Sequence, residues 1–299
     1  MSSSLVGMVT YGGLEFSKLT IKGIRETTTK PIFFYVVVGK PNDLATIEWL
    51  NSEGIPHIIH NENYGFPCSV NDIYDFAWNR NNFDNIIMVG NDIYPYPYAI
   101  DSMIEIAETT DYEWIAAKQL VDSRLLVDLY PEVSKYFNGP DCIFSDFNSR
   151  PWEVFTDYSE KIEIADDAIS NVHDLCLYKR GVFDKIGYVD VNFYPAYYED
   201  NDYARRGVNA KIKACTLVNA LYFHFWSRTI KQEGGASNPT YFGKNGAFYR
   251  TKWGGNFANE AYKIPFNEKP FELTKGIFLS PSLKIDSRDN EKAIINYWR

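Results

Sequence analysis

Asp92 stands at the end of an apolar run, in the stretch VGNDIYPYP, and is followed at once by Pro95 and Pro97. The run NIIMV before it (Asn85 to Val89) reads as a strand buried on both faces, and the two prolines predict that no further ladder pairing follows. A carboxylate just past the carboxyl end of such a strand lies where ligands bind in open α/β sheets. The same acid, one turn before YAIDSMIEIAE, would also favour a helix dipole, so both roles are open to it. A second acidic group, in YYEDNDYARRG, gathers Glu199, Asp200 and Asp202 ahead of Arg206. Asp202 and Arg206 are spaced four apart on a helical pattern and read as a supporting ion pair. His224 ends an apolar run in YFHFWSRT, where an imidazole can bind a ligand or simply hydrogen-bond at a strand end. His57 and His60, in PHIIH, have no other histidine or cysteine close in sequence and read as strand-edge residues rather than a metal site.

The 299-residue chain is 45% hydrophobic and 16% aromatic, ample for a sizeable core in one large domain or one domain with an appendage. Its net charge of −9, with no basic run, lacks the electrostatic footprint of a generic DNA or RNA binder. The N-terminus MSSSLVGMVTYGG has no basic leader, and no apolar stretch is long enough to cross a bilayer, so a soluble, cytoplasmic protein is expected. Cys68, Cys142, Cys176 and Cys215 are widely spaced without a C-x-x-C pair and read as reduced structural thiols.

The elements that must position these side chains are legible in the first hundred residues. SLVGMVTY, PIFFYVVVG, PHIIH and NIIMV read as strands separated by amphipathic helices. One helix is capped by Asn42 or Asp43, buries Leu44, Ile47 and Leu50, and stops at Gly54 and Pro56. The next buries Val70, Ile73, Tyr74, Ala77 and Trp78 with Ser69 as its cap, and the one after Asp92 buries Ile100, Met103, Ile104 and Ala107. Such alternation predicts an α/β fold with a mostly parallel sheet flanked by helices. From about Leu120 to Ala168 no period is sustained, and the segment reads as a substrate-lining excursion or a packed aromatic loop. Regular structure then returns with DLCLYKRGVFDKIG, a short helix ending at Gly207 and two strands, and YFGKNGAFYRTKWGG reads as a helix closed by glycine. The boundaries expected are a domain over 1–236 and an extension over 237–299, helical or irregular and packed upon it, with the last forty residues wrapping the domain.

Four segments, in order, resemble the GT-A glycosyltransferases of family 2. NENYGFPCSVNDIYDFA is similar to that family's Asn, Gly-Phe, Asn and Ala pattern. IIMVGNDIYPYPYAI lies where the family places its aspartate-containing metal motif, FDKIGYVDVNFYPAYYEDNDYARRG resembles its Ile-Gly, Glu-Asp-x-Asp, Arg signature, and His224 stands where the family often has a histidine. Together they span roughly residues 5 to 255. The resemblance implies a Rossmann-like GT-A fold and a metal-dependent, inverting hexosyl transfer from a nucleotide sugar, most often UDP-linked, to an acceptor hydroxyl.

By that resemblance Asp92 and His224 hold a divalent cation, Mn or Mg, which neutralises the departing diphosphate. Asp200 is the base that takes the acceptor's proton, with Glu199 the alternative. Thr10, Tyr11, Asn63, Gly65, Asn71 and Asn91 line the nucleotide, Gly12 and Gly13 allowing close backbone approach. The acceptor would be a glycan, a protein, a small molecule or, less in keeping with the acidic charge, hydroxymethylated DNA. Trp152, Phe155, Tyr158, Trp226 and Trp253 could stack on sugars or bases, though aromatics so numerous mostly pack.

Two departures from the pattern stand out. Many members carry an aspartate after the second strand to read the base, where VVVGKPND has Val38 or Gly39, leaving backbone groups or Asp43 for that task. The metal motif usually has two acids bracketing one residue, and here Gly90 replaces the first. An alternative is therefore a GT-A domain that binds nucleotide sugar or glycan without transfer. A sugar nucleotidyltransferase would need a glycine-rich basic loop after the first strand, and TYGGLEFSKLT lacks its arginine.

Overall fold

The computed structural model describes residues 2–120, 164–166, 169, 173–225, 239–269 and 279–280. The chain begins by alternating β1 (Ser4–Thr10), α1 (Leu14–Thr27), β2 (Ile32–Val38), α2 (Leu44–Ser52), β3 (His57–Ile59), α3 (Phe66–Tyr74) and β4 (Asn85–Val89). It continues through β5 (Ile93–Pro95), α4 (Ala99–Thr109), β6 (Trp114–Leu120), β7 (Ile164–Asp166) and β8 (Leu175–Lys179). Then come α5 (Arg180–Ile186), α6 (Glu199–Asn209), β9 (Ala214–His224) and α7 (Pro239–Trp253). The strands form one sheet in the order β3-β2-β1-β4-β8-β6-β9-β5, with β7 pairing β9.

β1 to β4 are mutually parallel, β8 runs against β4 and β6, and β9 runs with β6 and against β5 and β7. Most strands therefore point one way, and a mostly parallel α/β sheet is what the alternation predicted. Period-two alternation divides the core between the two faces. Leu5, Val9, Tyr35 and Val37 pack with α3 on one side. Val6, Met8, Val36 and Val38 pack with α1 and α4 on the other.

Local expectations failed where tertiary pairing intervened. Asp43 does cap α2, accepting from the Thr46 N–H at 3.3 Å, and Leu50 is buried, but Leu44 is 65% exposed. α3 begins earlier than its apolar stripe suggests, from Gly65 at φ 85 with Pro67 in its first turn. Ser69 is thus interior, and its hydroxyl donates to Gly65 O at 3.1 Å instead of capping. The prolines after Asp92 do not end pairing, because β5 lies against β9, with Pro95 opposite Tyr222 at the sheet's edge. Two expected strands after α6 are one, β9, bent by a register shift against Ala117 and Lys118. α6 runs past Gly207 to Asn209, and a Cβ at 207 would meet Ile169 at 2.9 Å and Trp114 at 3.3 Å.

α7 is fastened to α6 and to the loop before it by buried polar contacts. Lys252 Nζ lies 2.9 Å from Asp190 and 2.6 Å from Asp202, all three side chains having no solvent exposure. Asp202 also accepts from Trp253 Nε1 at 2.8 Å and from Arg206 Nε at 3.0 Å. Arg206 in turn donates to the carbonyls of Ile186 and Tyr188. Asn245 Nδ2 donates to the carbonyls of Phe193 and Ala196 at 2.9 and 2.7 Å. That tether holds a loop in which consecutive Tyr197 and Tyr198 adopt φ of 82° and 69°, conformations costing about 1–3 kcal/mol each unless the surroundings impose them.

Lys252→Met should leave Asp190 and Asp202 buried around a missing charge and destabilise the protein by roughly 3–5 kcal/mol. Urea unfolding at neutral pH measures this, and an unchanged midpoint would show that the ammonium is not what balances the two acids.

Candidate active site

The carboxyl edge of the parallel strands gathers the chemistry. β4 ends at Val89, opposite Leu175 of β8, so Gly90 and Asp174 face one another, and the Gly90 N–H donates to Asp174 O at 2.8 Å. β5 places Ile93 opposite His224, and the Phe225 N–H donates to Asp92 O at 2.8 Å. Three strands thereby bring Asp92, Asp174 and His224 into one cluster. His224 Nε2 lies 3.2 Å from Asp92 Oδ1, and its Nδ1 lies 2.9 Å from Asp174 Oδ2. Burial opposes a charge on the imidazole, but the carboxylates of Asp174 and Asp92 outweigh it and hold His224 protonated well above its ordinary range.

Asp174 is the residue that reading the sequence missed. It precedes the apolar run of β8 as a single acid with no motif around it, and only the pairing of β8 with β4 brings it to the site. Its neighbour His173 turns into the core among Trp114, Tyr178 and Tyr203, where burial lowers its pKa to about 4 and keeps it neutral.

Glu199 and Asp200 open α6, immediately after Tyr197 and Tyr198. Burial, with the charges of Asp200 and Asp174 added, raises the Glu199 carboxyl well above its ordinary range, and its Oε2 is buried without a hydrogen-bond partner. Asp200 is pushed up to about 7, chiefly by burial and further by the Asp174 charge, against the Asn201 N–H that its Oδ1 accepts at 2.7 Å. Burial thus raises both carboxyls, Asp200 to about 7.

The remaining predicted residues separate into two groups. Tyr11, Asn63 and Gly65 form one surface: Asn63 Nδ2 donates to Tyr11 Oη at 3.2 Å, and the Gly65 N–H donates to Asn63 Oδ1 at 2.9 Å. Gly65 is required there, since its φ is 85° and a Cβ would lie 2.8 Å from Tyr194. Thr10 and Asn91 lie beneath the turn after β1. The Thr10 hydroxyl donates to Gly12 O at 2.9 Å, and Asn91 Nδ2 reaches Gly12 O and Ser17 Oγ at 3.3 Å. Asn71 is buried, and its amide clasps the Val189 backbone through N–H to Oδ1 at 2.7 Å and Nδ2 to O at 3.0 Å.

His60 is paired with Asp72 at 2.7 Å inside the protein, and His57 Nδ1 lies 2.8 Å from Ile55 O. Asp72 also accepts from the Ser280 N–H. Cys68, Cys176 and Cys215 are buried free thiols, and Trp253 is core. Cys142, Trp152, Phe155, Tyr158 and Trp226 lie outside the described residues.

No protein-family model matches the chain, and no curated protein matches it in sequence. Solved structures do match. The mannosyltransferase PcManGT from Pyrobaculum calidifontis, in complex with GDP-Man and Mn²⁺, superposes with a TM-score of 0.50 at 12% identity. That match covers 75% of this chain and 56% of that one. TarS from S. aureus gives 0.52 at 12% identity over 87% of this chain and 41% of its own. Its fragment 1–349 gives 0.50 at 11% identity, over 83% and 73%.

The chain has a GT-A-like glycosyltransferase fold. It spans about half the length of the first two structures it matches. In this GT-A-like fold the Asp92, Asp174 and His224 cluster occupies the carboxyl edge where ligands bind in α/β sheets. The Asp92 carboxylate and the His224 imidazole suit a hard or borderline divalent cation in donor type. A Cβ at Gly90 would stand 3.2 Å from Ile93 Cγ2 and 3.6 Å from the Oδ1 atoms of both Asp92 and Asp174, so glycine leaves these two carboxylates uncrowded on the β4 side. As the side chains stand, His224 bridges the two acids, and no three His, Cys, Asp or Glu side chains among the described residues are gathered as ligands. A cation at Nε2 would displace the proton there, since an imidazole binds metal only when neutral.

The raised pKa of Asp200 fixes a sign for stability. Its folded value of about 7 exceeds the ordinary 3.8, so the native state holds the proton through that window and loses stability as pH rises across it. Asp200→Asn should therefore raise the melting temperature at pH 8 and change it little at pH 4. Parallel melting curves for the two proteins between these pH values would contradict the shift.

Proposed function

We propose that this protein is a metal-dependent glycosyltransferase that moves a hexose from a nucleotide-sugar donor, most often a UDP-sugar, to an acceptor hydroxyl with inversion. The observation that carries this reading is the charged cluster of Asp92 and His224 at the carboxyl edge of a GT-A-like sheet, with Asp200 titrating near neutrality beside it. A likeness in fold to a mannosyltransferase bound to GDP-Man and Mn²⁺ supports the same class of donor and cofactor. Among the described residues no helix is long and apolar enough to cross a membrane. A glycan, a protein or a small molecule is the acceptor we favour, with hydroxymethylated DNA disfavoured by the net charge of −9.

Asp92 and His224 would hold the divalent cation, which when bound neutralises the negative charge that develops on the leaving diphosphate. Asp200 takes the proton of the acceptor hydroxyl as its oxygen bonds to the anomeric carbon. The bond from that carbon to the phosphate oxygen breaks in the same displacement, its electron pair leaving with the nucleoside diphosphate. A base with a pKa close to the working pH suits this task, and Asp200 is raised to about 7. Tyr11, Asn63 and Gly65 offer the exposed side of the nucleotide site, while Thr10, Asn91 and Asn71 shape it from below. A second reading, a donor-binding domain without transfer, has one observation in its favour: Gly90 in place of the first acid of the metal motif.

Incubation with UDP-, GDP- and dTDP-sugars, with and without Mn²⁺, should release nucleoside diphosphate from one donor only when metal is present. Asp92→Asn should abolish release. Asp200→Asn should keep donor binding and lower transfer by about 10²–10⁴-fold, and in the wild type the rate should climb with pH through about 7. Donor binding without release would favour the second reading. Neither release nor a nucleotide-induced rise in melting temperature would dismiss both.

A further inference from the structure

Gly90 stands where the resemblance implies an acid, and a carboxylate from another strand lies beside it. Asp174 sits directly across from Gly90, tied to it by the backbone hydrogen bond of 2.8 Å. Its Oδ1 lies 3.6 Å from the position a Cβ at residue 90 would take, and so does Asp92 Oδ1. An acidic side chain at 90 would extend from that point toward two carboxylates already present. Glycine at 90 and aspartate at 174 are therefore alternatives, and this chain has the second.

Asp174 has two oxygens with different surroundings. Oδ2 lies 2.9 Å from His224 Nδ1, while Oδ1 lies on the side of Gly90 and of Asp92 Oδ1. With Nδ1 anchored, the imidazole turns its Nε2 to Asp92, 3.2 Å away. A carboxylate on one ring nitrogen fixes the tautomer and the ring plane, leaving the other nitrogen as the ligating one. Nearby, Glu199 Oε2 is buried without a partner, in a side chain whose carboxyl feels the Asp174 charge.

We propose that Asp174 is the positioning residue of the cation site: from β8 it restores the negative charge that Gly90 removes from β4, and it orients His224 so that Nε2 and Asp92 face the cation together. This rests on the metal-dependent reading above. Asp174 does not itself ligate, so its carboxamide should retain part of its effect, by accepting from Nδ1–H without contributing charge.

Mn²⁺ binding to the full chain, followed by electron paramagnetic resonance with and without UDP or GDP, tests this without any measure of turnover. Asp174→Ala should weaken Mn²⁺ binding by about 10–100-fold, the range for losing an outer partner of a ligating histidine. Asp174→Asn should fall between it and the wild type, and Asp92→Asn should bind least. In the metal-free protein, the ¹⁵N resonances of His224 should shift in Asp174→Ala and far less in Asp174→Asn. Wild-type affinity in Asp174→Ala, with Asp92→Asn impaired, would overturn the proposal alone. Loss in Asp174→Asn as deep as in Asp92→Asn would overturn it in favour of direct ligation. Absence of Mn²⁺ binding by the wild type would overturn the metal-dependent reading itself, and the role of Asp174 with it.

Discussion

A lysine ammonium with no solvent exposure, Lys252, is the constraint on which the arrangement of this protein turns. Removing two carboxylates, an ammonium and a guanidinium from water costs several kcal/mol per ion, and only tight, fully bonded pairing offsets it. Here Asp190 and Asp202 meet Lys252, and Asp202 meets Arg206, so the cluster carries two negative and two positive charges. The remaining lone pairs and protons are also used: Asp190 accepts from the Asn192 backbone and side chain, and Arg206 reaches two carbonyls. Such a cluster tolerates no sliding of α7 over α6. It fixes the start of α6, and hence Glu199 and Asp200, together with the packing of Tyr249 and Trp253 against Phe193 and Tyr198.

The edge of the sheet follows the opposite logic. There the charged groups pair with one another and remain partly exposed, with Asp92, Asp174 and His224 side chains 10%, 25% and 15% exposed. Asp92 and Asp174 flank the His224 imidazole there, and burial, with the charges of Asp200 and Asp174 added, raises the Glu199 carboxyl above its ordinary range. A buried cluster of paired charges thus supports an edge whose charged groups remain partly exposed.

Much of this was written in the local sequence. The strands β1, β2 and β4 are apolar runs with clear ends, Asp43 caps α2 as its position before the helix implies, and Asp202 with Arg206 shows the four-residue spacing of a helical ion pair. What local pattern could not supply was pairing between distant segments. Asp174 has meaning only through the register of β8 on β4, and β5 exists because β9 offers it an edge. Leu44 faces solvent because apolar spacing on a nine-residue helix does not settle which end meets the core. Asn71 looked like a ligand-binding amide, yet its partner, Val189, lies 118 residues away, and nothing near it in sequence announces the bond.

Asn245, with its side-chain amide on the carbonyls of Phe193 and Ala196, also sets an order of events. A polypeptide emerging from the ribosome has made Asp92, Asp174, Glu199, Asp200 and His224 well before it reaches residues 245 to 253. At that moment every group with reactive chemistry exists, but the loop before α6, with its two left-handed tyrosines, has the bond from the Phe66 N–H to Pro195 O and still lacks the Asn245 tether. The arrival of α7 closes it. Synthesis therefore separates possession of the reactive groups from their alignment, and the nascent chain passes through a stage that has the parts of a site without the site.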